Sequence, residues 1–332
     1  MALSRPLLEL LSDGHFYSGN QLGERLGCSR AAVWKMIQAL ESAGVDIFHV
    51  RGKGYRLARA VELLTAERIL DGMPVGGRQS LSVLDVLFDV DSTSTYLVER
   101  PLRMGENGHA CFAEFQRLGR GRRGRHWVSP LGGNLYFSLR WRFSRGVAEL
   151  GGLSLAIGVA LVRALRDEGV EGLGLKWPND ILLHGRKLAG ILLEISGETT
   201  GPCEVVIGVG LNVRATEFAH EAIDQPWSDL ESSLGRRVGR NALAAQILTG
   251  LIAAARQYDI DGLDSFRDEW MAADAFSGRE VVLQTPSTET SGVVQGVDEN
   301  GALILSLKNG TRQHFYSGEI SLRAVSDRLA NV

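Results

Sequence analysis

Gly119-Arg120-Gly121-Arg122-Arg123-Gly124-Arg125 is the string whose reading decides the fold of the central part of this chain. It satisfies GxGxxG and, taken alone, invites a doubly wound dinucleotide-binding fold. That fingerprint needs a strand and then a helix whose N-terminus faces the pyrophosphate. Here the string runs instead into His126, Trp127, a Ser129-Pro130 turn, Gly132-Gly133 and a second strand-like run, Asn134 to Trp141. There is no Walker lysine. What the loop offers is a set of guanidinium groups, Arg120, Arg122, Arg123 and Arg125, on a backbone that glycines free to fold closely around a ligand. It suits a phosphate or an adenylate; an RNA-binding or simply solvated basic run is the alternative. These like charges repel one another, so the loop is expected to be mobile until an anion orders it.

Outward from the loop, strand-like runs fall at Val83 to Val90, Ala110 to Phe115, Ile181 to Leu183, Lys187 to Ile195 and Val205 to Val213. Helical patterns fall at Thr95 to Arg100, Val147 to Glu168 and Arg240 to Tyr258. This predicts an α+β body on a mixed or antiparallel sheet. Within it, Lys176-Trp177-Pro178-Asn179-Asp180 joins a strand end to the strand at Ile181. Pro178 stiffens the turn from which Asn179 and Asp180 project, a pair suited to adenine or magnesium, although a plain capped turn reads the same way. Lys187 lies just inside a strand, followed by small Ala189 and Gly190. Opposite a carboxylate attacking an α-phosphate, such a lysine would stabilise developing charge by roughly several kcal/mol. An ordinary edge-strand lysine is the competing reading.

The amino-terminal part reads as a winged helix-turn-helix. A helix over Leu3 to Leu11 is followed by a polar turn, Ser12 to Gly14; Ser18 then caps a second helix carrying Leu22 and Leu26. Gly27 and Cys28 break it, and Ser29 starts a third helix, Arg30 to Glu41. Val33, Ile37 and Leu40 share one face of that helix, leaving Arg30, Trp34, Lys35 and Gln38 elsewhere. Asp46 to Val50 and Tyr55 to Leu57 form a hairpin around Gly52, Lys53 and Gly54, with Arg51, Lys53 and Arg56 placed for phosphate or a minor groove. Residues 1 to 60 hold eight Lys or Arg against five Asp or Glu, whereas the whole chain is at −3, so only this part is expected to meet a polyanion. Winged helices also serve as protein-interaction modules.

Residues 61 to 80 read as a connector with a short helix, Ala66 to Leu70, capped by Thr65. The tail holds short strands, Glu280 to Leu283, Ser291 to Val297, Ala302 to Leu307, Gln313 to Tyr316 and Ile320 to Arg323, with Asn300-Gly301 and Asn309-Gly310 as hairpin signals. Together they predict a small barrel. A length of 332 residues with 44% hydrophobic content allows two or three domains. No run approaches the roughly 18 apolar residues of a membrane span, and Leu3 to Leu11 lacks the marks of a signal peptide. Cys28, Cys111 and Cys203 have neither disulfide-framework nor zinc spacing, which points to a reducing cytoplasm and no membrane.

Taken in order, Asp91-Ser92-Thr93, the Gln116 to Arg125 loop, Trp127, Lys176 to Asp180, Lys187 to Gly190 and Gly208-Val209-Gly210-Leu211-Asn212 resemble the bifunctional biotin protein ligase and biotin operon repressor family over nearly the whole chain. The resemblance implies three domains: a winged helix at 1–62, a mixed-sheet catalytic domain of the biotin/lipoate ligase type at 63–272, and a small SH3-like β-barrel at 273–332. It implies that biotin is activated with ATP and Mg2+ to biotinyl-adenylate and passed to a lysine of biotin carboxyl carrier protein. It further implies a homodimer that represses biotin synthesis genes at operator DNA.

Carried over residue by residue, the resemblance puts Ser92, Thr93, Ser94, Gln116, Arg120, Gly121, Arg122 and Lys187 on biotin, with Lys187 and Arg122 catalytic. Arg123, Arg125, Trp127, Lys176, Asn179, Asp180 and Asn212 would serve ATP or the adenylate, with Asp180 also on Mg2+. Ser29, Arg30, Trp34, Lys35, Gln38, Arg51 and Lys53 would meet DNA. Ser94 departs from the family, which often has asparagine there, and shortens a polar arm. A lipoate or octanoate ligase shares the catalytic fold without this dense arginine loop. A repressor that only senses a small anion is the other alternative, against which Lys187 and Asn179-Asp180 argue.

Overall fold

The computed structural model describes residues 3–214, 216, 218–219, 223, 226–284 and 288–316, and the backbone of 321–324. The chain opens with α1 (Arg5–Leu11), α2 (Gly19–Leu26) and α3 (Arg30–Ser42), followed by the hairpin β1 (Ile47–Val50) and β2 (Gly54–Leu57). Ser18 and Gln21 close a capping box on α2, and the Ser29 hydroxyl accepts from the Ala32 amide at the start of α3. Gly27 ends α2 in the left-handed region, φ 64°, which turns the chain into α3. Leu7, Leu8, Leu11, Leu22, Val33, Ile37 and Leu40 are fully buried between these elements, the apolar faces that the periodicity marked.

Thr65 caps α4 (Ala66–Gly72) as expected, and the short α5 (Val75–Arg78) was not foreseen. The body follows as β3 (Val83–Leu87), α6 (Thr93–Val98), β4 (His109–Ala113), β5 (Leu135–Phe143), α7 (Leu153–Asp167), β6 (Leu173–Lys176), β7 (Asp180–Leu183), β8 (Arg186–Gly197) and β9 (Cys203–Leu211). Then come α8 (Leu230–Leu234), α9 (Arg240–Asp261) and α10 (Asp264–Ala273). The strands form one sheet in the order β3-β4-β5-β9-β8-β7-β6, in which β3 and β4 run parallel and the other neighbours antiparallel. The helix expected over Val147 to Glu168 is divided. A 3-10 turn at Val147–Glu149 precedes α7 because Gly152, at φ 80°, packs against Gly301, where an added Cβ would lie 2.6 Å from the Gly152 Cα.

Period-2 alternation on β5 sorts the two faces of the sheet. Leu135, Phe137, Leu139, Trp141 and Phe143 join the core made with α7 and α9, so Tyr136, Ser138, Arg140 and Arg142 point to the other face. On β9, Val205, Ile207, Val209 and Leu211 lie in the same core, which leaves Glu204, Val206, Gly208 and Gly210 on the second face.

The tail forms β10 (Glu280–Gln284), β11 (Glu289–Val297), β12 (Leu303–Ser306), β13 (Arg312–Phe315) and β14 (Ser321–Ala324) in the antiparallel order β13-β12-β11-β10-β14. Among the described residues its end strands do not pair with each other, so the sheet is open where a closed barrel was expected, consistent with an SH3-like unit. Ile320 of the expected last strand lies outside the described residues. Trp177 carries the indole N–H that ties this unit to the body, donating to the Gly301 carbonyl at 3.1 Å. Among the described residues no helix is long and apolar enough to cross a membrane.

Candidate functional site

The second face of the sheet is bare where the glycines fall. Register pairs Gly190 on β8 with Gly210 on β9, and Leu192 with Gly208. The Trp127 indole packs against the Gly190–Gly210 pair; an added Cβ on Gly190 would stand 3.0 Å from the ring, and one on Gly210 would run into it. The Ser94 hydroxyl occupies the corresponding space over Gly208, where an added Cβ would stand 2.6 Å away. Trp127 Nε1 is buried there without a hydrogen-bond partner among the described residues.

Beside this platform α6 presents its amino end. Ser92 caps it, and Gln116 Oε1 accepts from the Thr93 amide at 2.9 Å and the Thr93 hydroxyl at 3.2 Å. Ser138 meets the Thr93 hydroxyl at 2.8 Å and the Ser94 hydroxyl at 3.0 Å, while Gln116 Nε2 donates to Ser129 Oγ at 3.2 Å. The result is a buried, uncharged cluster of hydroxyls and one amide, the donor and acceptor set for a neutral polar head group. Ser129 and Ser138 were absent from the expected set. The signal for Ser138 was its place on β5 opposite the core residues, a relation of strand faces that short linear strings do not carry.

The arginine loop is folded back as a small hairpin. Trp127 N donates to Gly119 O and Gly121 N to Arg125 O, each at 2.8 Å, around a 3-10 turn at Arg122–Gly124. Arg123 sits in the left-handed region at φ 60°. Arg120 pairs with Glu194 on β8 at 2.8 Å, and Arg122 donates to Asn179 Oδ1 at 3.0 Å. Burial pulls the Arg122 guanidinium below its usual pKa, while Asp180 works in the opposite sense. Arg123 and Arg125 are exposed on the loop, which walls a groove of about 560 Å3 against Leu192, Leu193 and Glu194.

Lys187 completes the centre: its ammonium is 2.8 Å from Asp180 Oδ1 and 5.3 Å over the Trp127 ring. Asn179 Nδ2 donates to the Ile191 carbonyl at 2.6 Å, which locks the turn before β7 onto β8. Thus Thr93, Ser94 and Gln116 come together in one cluster, and Arg122, Trp127, Asn179, Asp180 and Lys187 in its neighbour. Lys176 instead turns its ammonium over Phe276, 5.5 Å from the ring centre, and Asn212 donates to the Ser228 carbonyl at 3.2 Å.

A second candidate surface lies on the winged helix. Arg30, Trp34, Lys35 and Gln38 are exposed along α3, Trp34 by 53%, an unusual apolar presence on an open helix. Ser29 is engaged as the cap of α3, and Gln38 bonds Glu41 at 2.7 Å. Arg51 and Lys53 are exposed at the wing tip, whereas Arg56 is stacked between Phe16 and Phe48. A short path links the two surfaces. The segment that leaves the arginine loop at Ser129-Pro130 ends on Leu131, whose amide donates to Ala43 O at the end of α3, 2.8 Å away, and whose side chain joins the winged-helix core.

Residues 87–212 match the biotin/lipoate A/B protein ligase family, residues 4–56 an HTH domain, and residues 276–323 the biotin protein ligase C-terminal domain. The chain is 44% identical to the bifunctional ligase/repressor BirA of Salmonella typhimurium over 96% of its length and 97% of that protein. It is 32% identical to the BirA of Bacillus subtilis over 96% and 98% respectively. Among solved structures, the biotin protein ligase of Aquifex aeolicus in complex with biotin and ATP is similar with a TM-score of 0.63, at 27% identity over 74% of this chain and 100% of that one.

Proposed function

The chain belongs to the family of bifunctional biotin ligase/repressors, and on that premise we propose how its residues divide the two tasks. It is an ATP-dependent biotin protein ligase and a DNA-binding repressor. The observation that carries the assignment of residues is the adjacency of two unlike clusters. An uncharged hydroxyl pocket around Thr93, Ser94, Gln116 and Ser138 meets a charged centre of Arg122, Asp180 and Lys187 across the glycine platform.

Biotin is a neutral cyclic urea at one end and a carboxylate at the other. The hydroxyl pocket takes the urea, with Ser92 holding the helix end, and Arg120, Gly121, Arg122 and Lys187 line the path to the carboxylate. A carboxylate oxygen attacks the α-phosphorus of ATP, the α–β bridging bond breaks, and pyrophosphate leaves. Lys187 and Arg122 stabilise the charge that builds on the α-phosphate oxygens. In the second step the neutral amine of a carrier-protein lysine attacks the acyl carbon, AMP departs, and the new nitrogen loses a proton. The Trp127 indole and the arginine loop exclude water from the mixed anhydride.

Arg123 and Arg125 meet the phosphates as the loop closes, Asn179 faces the nucleotide, and Lys176 and Asn212 border its site from the ends of β6 and β9. No cluster of three or more His, Cys, Asp or Glu exists among the described residues that could cage a metal by itself. A single carboxylate, Asp180, fits Mg2+ delivered with ATP, since that ion is commonly held by one or two carboxylates plus phosphate oxygens. Bound there, Mg2+ would neutralise phosphate charge.

The divisions 1–62, 63–272 and 273–332 separate DNA binding, catalysis and a buttress for the Trp177 turn. Ser29, Arg30, Trp34, Lys35 and Gln38 approach the major groove and Arg51 and Lys53 the phosphates beside it. Each chain carries one such helix, so a two-fold operator calls for a homodimer; exposed Leu118 and Ile195 beside the arginine loop support one. The setting is the cytoplasm. Incubating the protein with biotin, MgATP and unmodified biotin carboxyl carrier protein should give biotinyl-adenylate and a biotin mass increment on one carrier lysine. A folded protein that makes neither product would overturn the assignment.

A further inference from the structure

We propose that Arg140, held by Glu204, is a positioning residue for biotin: it clamps the carboxyl end of α6, whose amino end carries the hydroxyl pocket. The inference rests on the reading of that pocket given above. Arg140 is an odd residue for its place. It lies on the second face of β5 at 5% exposure, beside the buried apolar cluster of Leu97, Cys111 and Val206. Its Nη1 donates to the carbonyls of Leu97 and Val98, the last two residues of α6, and its Nε is 2.6 Å from Glu204 Oε2. Glu204 also binds Arg142 at 2.6 Å. Burial opposes ionisation of Glu204, but the bonds to Arg142 and Arg140 outweigh it and hold the carboxyl below its usual range.

A six-residue helix cannot hold itself, and its last carbonyls have no partners within it. A cation there also complements the helix dipole. Here one strand sets both ends. Ser138 and Arg140 are consecutive side chains on the same face of β5; the first receives Thr93 and Ser94, the second the Leu97 and Val98 carbonyls. Tyr96 adds a bond to Asp85 at 3.1 Å on the flank. Without Arg140 the carboxyl end of α6 loses its anchor, and the bonds to Ser138 alone would have to hold Thr93 and Ser94 in their orientation. The consequence falls on biotin binding, because Lys187 and Asp180 hold each other and Lys187 lies over Trp127, while α6 carries the hydroxyl pocket.

The test is steady-state adenylate formation with biotin and ATP varied in turn. Arg140→Met should raise the biotin KM tenfold or more, with kcat and the ATP KM within twofold, and Arg140→Lys should recover part of the loss. Arg145→Met is the matched control, since Arg145 donates to the Asp259 and Ile260 carbonyls at the end of α9, away from the pocket. An equal rise in biotin KM for Arg145→Met would reduce the clamp to a general stability effect and overturn it. If Arg140→Met does not fold, Glu204→Gln carries the same expectation. Thr93→Val separates the two levels of the argument. A raised biotin KM for Thr93→Val with an unchanged one for Arg140→Met sinks the clamp alone; no change for Thr93→Val sinks the pocket and the clamp with it.

Discussion

Lys187 Nζ stands 2.8 Å from Asp180 Oδ1, and both side chains keep only about a fifth of their surface exposed. The pair joins β7 to β8 and sets the cation proposed as catalytic beside the carboxylate proposed for magnesium. On the proposed assignment, incoming biotin and MgATP would exchange these partners, one taking the ammonium and the other the carboxylate. Replacing Lys187 by Met should therefore slow adenylate formation about a hundredfold or more in single-turnover quench experiments, with biotin affinity changed far less. A loss of only a few fold would show that the lysine is an ordinary strand residue.

Gly210 has no room for a side chain because Trp127 lies on it. Gly210→Ala should lift the indole from the sheet. Intrinsic fluorescence should shift to the red as the indole meets water, and the ATP KM should rise about tenfold while the hydroxyl pocket still takes biotin. An unshifted spectrum with unchanged kinetics would mean that the platform does not set the indole.

On the winged helix the two kinds of contact should separate in a salt titration. Lys53→Ala at the wing should weaken operator binding evenly across sequences and reduce the salt slope by about one. Trp34→Ala on α3 should instead cost roughly 1–3 kcal/mol on the operator and little on random DNA, with the slope unchanged. Equal effects of both variants on specific and random DNA would remove α3 from base reading.

Asp274 closes α10 where the body meets the C-terminal sheet, and one of its oxygens is buried without a partner among the described residues. Burial raises its pKa to about 6 from 3.8, opposed by the Phe276 amide. The folded state therefore holds a proton that the unfolded chain has released between those values. Its stabilising effect is present below the unfolded pKa and is lost as pH rises through about 6. Asp274→Asn should raise stability by up to about 3 kcal/mol at pH 8 and change it little at pH 4. Denaturant melts across that range measure the difference, and a parallel offset at every pH would refute it.

Much of the architecture was legible from local rules. Ser18, Ser29 and Thr65 were recognisable as caps because a hydroxyl before an apolar-periodic run has one obvious use, and all three accept a backbone amide. The strands β5 and β9 fall on the expected strand-like runs, Asn134 to Trp141 and Val205 to Val213. Failures occurred where the deciding contact is remote. The break before α7 depends on Gly301, about 150 residues away, and the open edge of the last sheet depends on which strands meet.

For the site, sequence alone determined the residue types: a glycine-freed arginine loop, a stiff Asn179-Asp180 turn, a strand lysine and the hydroxyls of Ser92 to Ser94. Their order was specific enough to identify the family, because chemistry-bearing residues cluster in short strings. Only the tertiary structure decided who meets whom. It set Arg120 on Glu194, Arg122 on Asn179, Lys176 over Phe276 and Trp127 on the Gly190–Gly210 pair, and it brought Ser138 and Arg140 to the two ends of α6. The reason is physical. Caps and periodicity act over a few residues and are written locally, whereas a side chain's partner across a sheet depends on strand order and register, which arise only when the whole core closes.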